Sequence, residues 1–191
     1  MTAWTFASLA ASSPATLEGL VTEGRAPSFS SLVGWEFSGW NVLAPVAKPV
    51  MAALGFQRFA KGFFSREPVR DDAPFIEGYN VKTRPGGLGD PWTPLEKEGA
   101  PMRHGFYRVF PPGDGVGRLG RHPQALLLDY SLGEPANGLL DGRGLRDFVV
   151  AVTDDLLVGK AYFHLGPLTV VGGYFVAARL RPAALTPARA A

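Results

Sequence analysis

The stretch Gly34-Trp35-Glu36-Phe37-Ser38-Gly39-Trp40 decides the fold of this chain. Large apolar residues alternate in it with small or polar ones, and alternation at period two predicts a half-buried β-strand. Its two indoles provide apolar surface with N–H donors, which suits a core or the wall of a ligand cavity. An early strand of this kind is typical of small closed β-barrels, where it closes one end.

Similar apolar runs follow along most of the chain and predict further strands. A helix is predicted over 14–24, after Ser12 or Ser13 as N-cap, and another over 44–54. The Pro- and Gly-rich segment 84–101 is predicted to be a long loop or flap. The remaining strands are predicted around 56–64, 75–82, 103–110, 125–132, 147–153, 156–165 and 168–181.

This pattern predicts a mainly β protein, an antiparallel lipocalin-like (calycin-like) barrel of about eight strands with one or two short N-terminal helices. We expect one domain over 1–181 and a disordered tail over 182–191. In the late strands, Lys160, Tyr162 and His164 share one face. The alternation does not decide which face is the interior.

Composition excludes several classes of function. The chain has 191 residues, an apolar fraction of 46%, a net charge of +2 and no cysteine. Disulfides, thiolate metal sites and cysteine nucleophiles are therefore excluded. No basic run with interleaved aromatics occurs, so we expect no nucleic-acid partner. No stretch approaches the roughly 20 apolar residues of a membrane helix, and a signal peptide is not predicted, so we expect a cytoplasmic protein without a membrane span.

The front third of the chain resembles the GXWXG domain, and residues 124–180 resemble the uncharacterised domain that follows it in the same family. The resemblance implies relatives of lipocalins and fatty-acid-binding proteins, which are calycin-like barrels for apolar ligands, and it implies no particular activity. One departure is that Trp35 directly follows Gly34. The matching residues are the run from Gly34 to Trp40, Met51–Phe56, Arg58, Phe59, Lys61, Leu126–Tyr130, Pro135, Leu145–Phe148, Leu157–Lys160 and Tyr174–Val176.

Two motifs are predicted to carry no cofactor or metal. The run 115–120 matches the Gly-rich dinucleotide fingerprint, but no helix pattern follows it, so a glycine turn is predicted. His104, His122 and His164 lie on separate segments without metal-ligand spacing. His164 in an apolar barrel could still ligate haem iron, and a spectrum would decide that. We predict no metal and no cofactor.

Acid–base chemistry requires a titratable group in a water-poor pocket, where burial shifts its pKa. Asp129, within an apolar run, is the first candidate, followed by Glu36 and Asp147, and His164 is the candidate histidine. The alternative is that Asp129 faces solvent or is neutralised by an arginine, such as Arg146 or Arg108.

The aromatic residues are candidates for lining a ligand cavity, and the alternative is that they fill the barrel. Arg179 or Arg181, on the last strand, is predicted to stack over Trp35 and close the barrel end. The predicted ligand-binding residues are Trp35, Trp40, Tyr79, Phe106, Tyr107, Tyr130 and Tyr162.

The sequence therefore predicts a barrel that binds a small hydrophobic or amphipathic molecule. One alternative is a cyclase or isomerase of natural-product (polyketide) biosynthesis on the same scaffold, and another is an interaction module with a filled barrel. An oligomer is compatible with the sequence, which decides neither that nor the ligand.

Overall fold

The computed structural model describes residues 3–43, 57–113, 121–138, 142–166 and 168–183. The strands are β1 (Trp35–Val42), β2 (Arg58–Phe64), β3 (Ile76–Val81), β4 (Glu96–Lys97), β5 (Ala100–Pro101), β6 (Arg103–Phe110), β7 (Leu126–Asp129), β8 (Leu145–Thr153), β9 (Leu156–Leu165) and β10 (Leu168–Pro182). The short β4 and β5 form a separate hairpin, and the other eight strands form a closed barrel in the order β1-β10-β9-β8-β7-β6-β3-β2. Every neighbouring pair in the barrel is antiparallel. The predicted lipocalin-like barrel of about eight strands is confirmed.

Short helices precede the first strand. The predicted helix is α2 (Pro14–Glu23), in which the Ser13 side chain accepts a hydrogen bond from the Thr16 N–H and Gly24 is the C-cap. The helices α1 (Phe6–Ala10) and α3 (Phe29–Leu32) were not predicted from the sequence. Both are too short to show a helical period, and their N-caps, Thr5 and Ser28, were the available signals.

Side chains alternate between the interior and the outer wall along each strand. The interior core contains Phe37, Phe63, Leu128 and Leu157, and Phe29 of α3 packs into it. On the outer wall, α1 and α2 cover a second core, which contains Leu17, Phe148, Val158, Tyr162 and Val176. The structure thus answers a question left open by the alternation, because the face that carries Tyr162 is the outer one.

One end of the barrel is closed by α3 and by the end of β10. Gly34 links α3 to β1 with a φ of +84°, a left-handed conformation that favours glycine. The Arg179 guanidinium lies 4.7 Å from the Trp35 ring centroid and also donates to the Ser31 carbonyl. The predicted stacking of a β10 arginine on Trp35 is confirmed.

The segment 84–101 lies partly against the outer wall. The Trp92 indole donates to the Phe59 carbonyl, contacts the Phe6 ring of α1 edge-on, and lies 4.0 Å below the Arg58 guanidinium. Arg58 also donates to the carbonyls of Asp90 and Pro91. This part of the segment therefore packs beside β2 and α1.

Several predictions fall on parts of the chain that the structure does not describe. The helix over 44–54 and the glycine turn over 115–120 lie outside the described residues. Of the predicted tail, Pro182 belongs to β10, Ala183 donates its N–H to the Gly34 carbonyl, and the rest lies outside the described residues. Among the described helices, none has the length and apolar character that crossing a membrane requires.

Candidate functional site

A buried lysine inside the barrel is bound by three acceptors. Lys61 lies on β2 between Phe59 and Phe63, which belong to the interior face of that strand. Its Nζ donates to Asp147 Oδ2 at 3.0 Å, to Asn80 Oδ1 at 3.2 Å and to the Tyr130 hydroxyl. An ammonium has three N–H donors, so this arrangement satisfies all of them. The geometry therefore matches the protonated form of Lys61.

Lys61, Asn80, Tyr130 and Asp147 form what we call the interior polar cluster. The Tyr130 hydroxyl donates to Asp147 Oδ2 at 3.0 Å and accepts from Asn80 Nδ2 at 3.2 Å. Asn80 Nδ2 also donates to the Gly105 carbonyl. Asp147 Oδ1 is buried and accepts no hydrogen bond. The cluster is therefore satisfied apart from one carboxylate oxygen.

Aromatic rings surround the Lys61 ammonium. Its Nζ lies 5.3 Å from the ring centroid of Phe59, and 5.0, 5.1 and 5.0 Å from those of Tyr107, Tyr130 and Phe175. At such distances the negative face of a ring attracts a cation. The rings replace part of the water that the charge loses on burial.

Two glycines make room for this aromatic cage. A Cβ at Gly39 would overlap the Phe59 ring, and a Cβ at Gly159 would overlap the Phe175 ring. These rings contact each other edge-on, with centroids 5.7 Å apart. Gly39 in β1 is therefore required, because a larger residue would displace the Phe59 ring beside Lys61.

Burial dominates the electrostatics of the cluster. It lowers the pKa of the Lys61 amine, and the adjacent Asp147 carboxylate opposes that shift. Burial, reinforced by the negative charge of Asp147, raises the pKa of the Tyr130 phenol well above its ordinary value. The pKa of the Tyr107 phenol is raised for the same reasons. Both phenols therefore keep their protons at neutral pH.

This chemistry suits the binding of a polar group within an apolar environment. The cluster offers an ion pair, a neutral phenol and an amide, and the described surroundings are aromatic or aliphatic. Among the described residues, no three His, Asp or Glu side chains gather in a way that could hold a metal ion.

The three predicted catalytic residues lie apart from the interior polar cluster. Asp129 is buried, forms an ion pair with Arg146 at 2.9 Å and accepts from the backbone N–H of Ser131. This is the arginine-neutralised alternative that the sequence left open. Asp129 also acts as N-cap of the 3-10 helix Tyr130–Leu132, and thereby positions Tyr130.

Glu36 and His164 also have partners elsewhere. The Glu36 carboxylate accepts from Arg181 Nε at 2.8 Å and from the Tyr79 hydroxyl at 3.0 Å. His164 Nδ1 lies 3.1 Å from the Thr169 hydroxyl, and burial lowers the pKa of this histidine. The structure does not bring these residues together, and a catalytic role for either stays a prediction.

The predicted ligand-binding aromatics divide between the two faces of the barrel. Tyr107 and Tyr130 lie in the interior with ring centroids 4.9 Å apart, and Trp35 packs against the same core at the closed end. The others belong to the cores on the outer wall, namely Trp40, Tyr79, Phe106 and Tyr162. Whether any of the seven contacts a ligand stays a prediction.

Sequence reasoning about the site missed Lys61 and Asn80. Lys61 alternates with Phe59 and Phe63, so a charge at the apolar period of a strand was the signal. Asp147 lies two residues before Val149, which belongs to the interior core, and it ranked below Asp129 among the predicted acids. No sequence signal distinguishes the polar Asn80 from a solvent-facing strand residue.

A groove of about 400 Å³ lies at the surface between the loop after β2 and the strands β3 and β6. Four of its five charged lining residues form ion pairs, Arg66 with Glu77 at 2.7 Å and Arg108 with Glu134 at 2.9 Å, and the fifth, Glu67, is exposed. Because the groove lies at the surface and both of its arginines are paired with glutamates, we place the candidate site in the interior instead.

Comparisons with protein-family models, with curated proteins and with solved structures found no match to this chain.

Proposed function

We propose that the barrel binds a small apolar or amphipathic molecule in its interior, with the polar group of that molecule at the interior polar cluster. The observation that carries this proposal is the buried Lys61–Asp147 pair, whose ammonium lies among aromatic rings in the barrel interior. A well-packed apolar pair of similar volume would stabilise a fold as well or better than a buried ion pair. A recognition role for the charges accounts for their presence in the core.

The surroundings of the cluster support this proposal. Ligand sites are mostly apolar, with a few polar groups that fix orientation. Burial of the apolar part of the ligand would supply affinity at about 25 cal/mol per Å². The polar cluster would select among ligands of similar shape.

Family membership belongs to the same proposal. Lys61 and Asp147 both fall within stretches through which the chain resembles the GXWXG domain and its partner domain. We propose that the chain is a divergent member of this family.

A fluorescence titration tests ligand binding. N-phenyl-1-naphthylamine, a neutral apolar probe, should gain fluorescence and saturate at one probe per chain. The variant Lys61→Met/Asp147→Leu should change its affinity several-fold. The matched outer variant Lys160→Met/Glu18→Leu, which alters a pair on the other face, should not. Absence of saturable binding to the folded protein, or equal effects of both variants, would contradict the proposal.

The second candidate is a cyclase or isomerase, and the favouring observation is the Lys61 amine beside the Tyr130 phenol and the Asp147 carboxylate. Such a set can donate and accept protons while a flexible substrate is held in place. If the barrel is catalytic, Tyr130→Phe should reduce kcat on a turned-over substrate while probe affinity stays the same. Equal kcat would exclude the phenol as the acid.

A further inference from the structure

Asp147 Oδ1 differs from every other hydrogen-bonding side-chain atom of the interior polar cluster. The three donors of Lys61 are occupied, and the Tyr130 hydroxyl both donates and accepts. Asn80 donates to Tyr130 and Gly105 and accepts from Lys61. Within the cluster, only the Oδ1 atom of Asp147 is buried without a partner. A buried anionic oxygen without a donor carries a desolvation cost that a ligand donor would remove.

The charge of the cluster restricts the ligand further. Lys61 and Asp147 neutralise each other at 3.0 Å, and no further cationic side chain contacts Asp147 among the described residues. A carboxylate ligand would place a second negative charge beside Asp147, with every Lys61 donor already occupied. Like charges in a low-dielectric site repel strongly, so such a ligand is disfavoured.

We propose that the ligand is a neutral molecule with an O–H donor, an alcohol or a phenol, whose hydroxyl donates to Asp147 Oδ1. This inference rests on the proposed function and specifies its ligand class. It distinguishes this barrel from one that binds fatty-acid anions, because the free polar atom of the cluster is an acceptor and all three donors of Lys61, the cation of the cluster, are occupied.

Three probes of matched size test the ligand class on the unaltered protein. These are 2-naphthol, 2-methoxynaphthalene and 2-naphthoate, measured by calorimetry or by competition with N-phenyl-1-naphthylamine at pH 7. A hydrogen bond to a charged acceptor predicts that 2-naphthol binds about ten- to a hundredfold more tightly than the methyl ether. The carboxylate should bind most weakly.

Two variants assign the preference to Asp147. In Lys61→Met/Asp147→Leu the preference for 2-naphthol over the ether should disappear while both still bind. In Asp147→Asn the amide oxygen remains the acceptor for Lys61, so the free atom becomes a donor and the ether should gain relative to 2-naphthol. If neither variant folds, the ranking of the three probes on the unaltered protein decides the inference.

The outcomes separate the two proposals. Equal affinity for 2-naphthol and the ether, tightest binding of 2-naphthoate, or a preference that survives in the double variant would overturn the hydroxyl inference and leave ligand binding intact. Binding of none of the three, together with no binding of N-phenyl-1-naphthylamine, would overturn the proposed function itself.

Discussion

Two lysine–carboxylate pairs lie on opposite faces of the same barrel wall. In the interior, Lys61 binds Asp147 at 3.0 Å, and the exposed fractions of the two side chains are 5% and 3%. On the outer wall, Lys160 of β9 binds Glu18 of α2 at 2.7 Å, with exposed fractions of 10% and 40%. Lys160 pairs with Phe148 across the strands, one residue along β8 from Asp147. The same kind of ion pair thus occurs in the buried interior and on the more exposed outer wall.

The two lysines differ in the direction of their pKa shifts, in line with their difference in burial. For Lys61, burial outweighs the attraction of Asp147, and the pKa of the amine is lowered. For Lys160, burial acts in the same direction, but hydrogen bonds to Glu18 and Tyr162 outweigh it, and the pKa is raised. The outer pair therefore holds α2 against the barrel. The interior pair carries a desolvation cost, and packing alone does not explain why the core contains these charges.

The largest expected effect comes from removing one partner of the interior pair. Asp147→Leu leaves the Lys61 ammonium buried without its counter-ion and should lower the free energy of unfolding by about 3–5 kcal/mol. Lys61→Met/Asp147→Leu should recover most of that loss, because no charge is then buried. Urea denaturation measures both. A loss of similar size in the double variant would mean that the charges stabilise the fold.

Loss of the Tyr130 hydroxyl should have an intermediate effect. Tyr130→Phe leaves one Lys61 donor and one Asn80 donor without an acceptor in the core, which should cost about 1–3 kcal/mol. The matched outer variant is Tyr174→Phe, because the Tyr174 hydroxyl donates to the half-exposed Glu18 at 2.6 Å. Water can replace that bond, so the cost should stay below about 1 kcal/mol. Equal losses in the free energy of unfolding of the two variants, measured by urea denaturation, would show that burial does not set the cost of losing the hydroxyl.

The smallest effect belongs to Glu18→Gln, which should cost at most about 1 kcal/mol at pH 7, because exposed ion pairs are screened. Burial would raise the pKa of Glu18, but hydrogen bonds from Lys160 and Tyr174 outweigh it and lower that pKa below the ordinary 4.5. Near that pH the folded state therefore binds fewer protons than the unfolded chain, so the stabilisation is present above pH 4.5.

That stabilisation should disappear as the pH falls through the folded-state pKa of Glu18. Urea denaturation from pH 7 to pH 3 should show the difference between the protein and Glu18→Gln shrinking over the acid range only. A difference that is independent of pH would mean that Glu18 acts through packing of α2.

The sequence predicted much of the barrel because strand patterning is local. The helix α2 was predicted with Ser13 as one of two candidate N-caps, and the stacking on Trp35 was predicted for Arg179 or Arg181 by placing the last strand beside the first. The short helices α1 and α3 were missed because four or five residues do not establish a period. The placement of Trp92 beside α1 was also not predictable, since it depends on a contact distant in sequence.

The site was predicted less well, because burial of an acid is a property of the assembled barrel. Asp129 and Asp147 both adjoin apolar runs, yet Asp129 lies on the outer face, where it pairs with Arg146, and Asp147 lies in the interior, where it pairs with Lys61. Lys61 and Asp147 are 86 residues apart, and only barrel closure brings them within 3.0 Å.

The sequence by itself determined the eight barrel strands, their antiparallel succession and the stacking of one of two last-strand arginines on Trp35, because each depends on alternation, turns and the first and last strands. Only the tertiary structure decided which face is the interior, and with it that Tyr107 and Tyr130 lie inside while Tyr79 and Tyr162 lie outside. A period of two assigns side chains to two faces without distinguishing them. The difference between the interior pair and the outer pair arises when the sheet closes and removes water from one face.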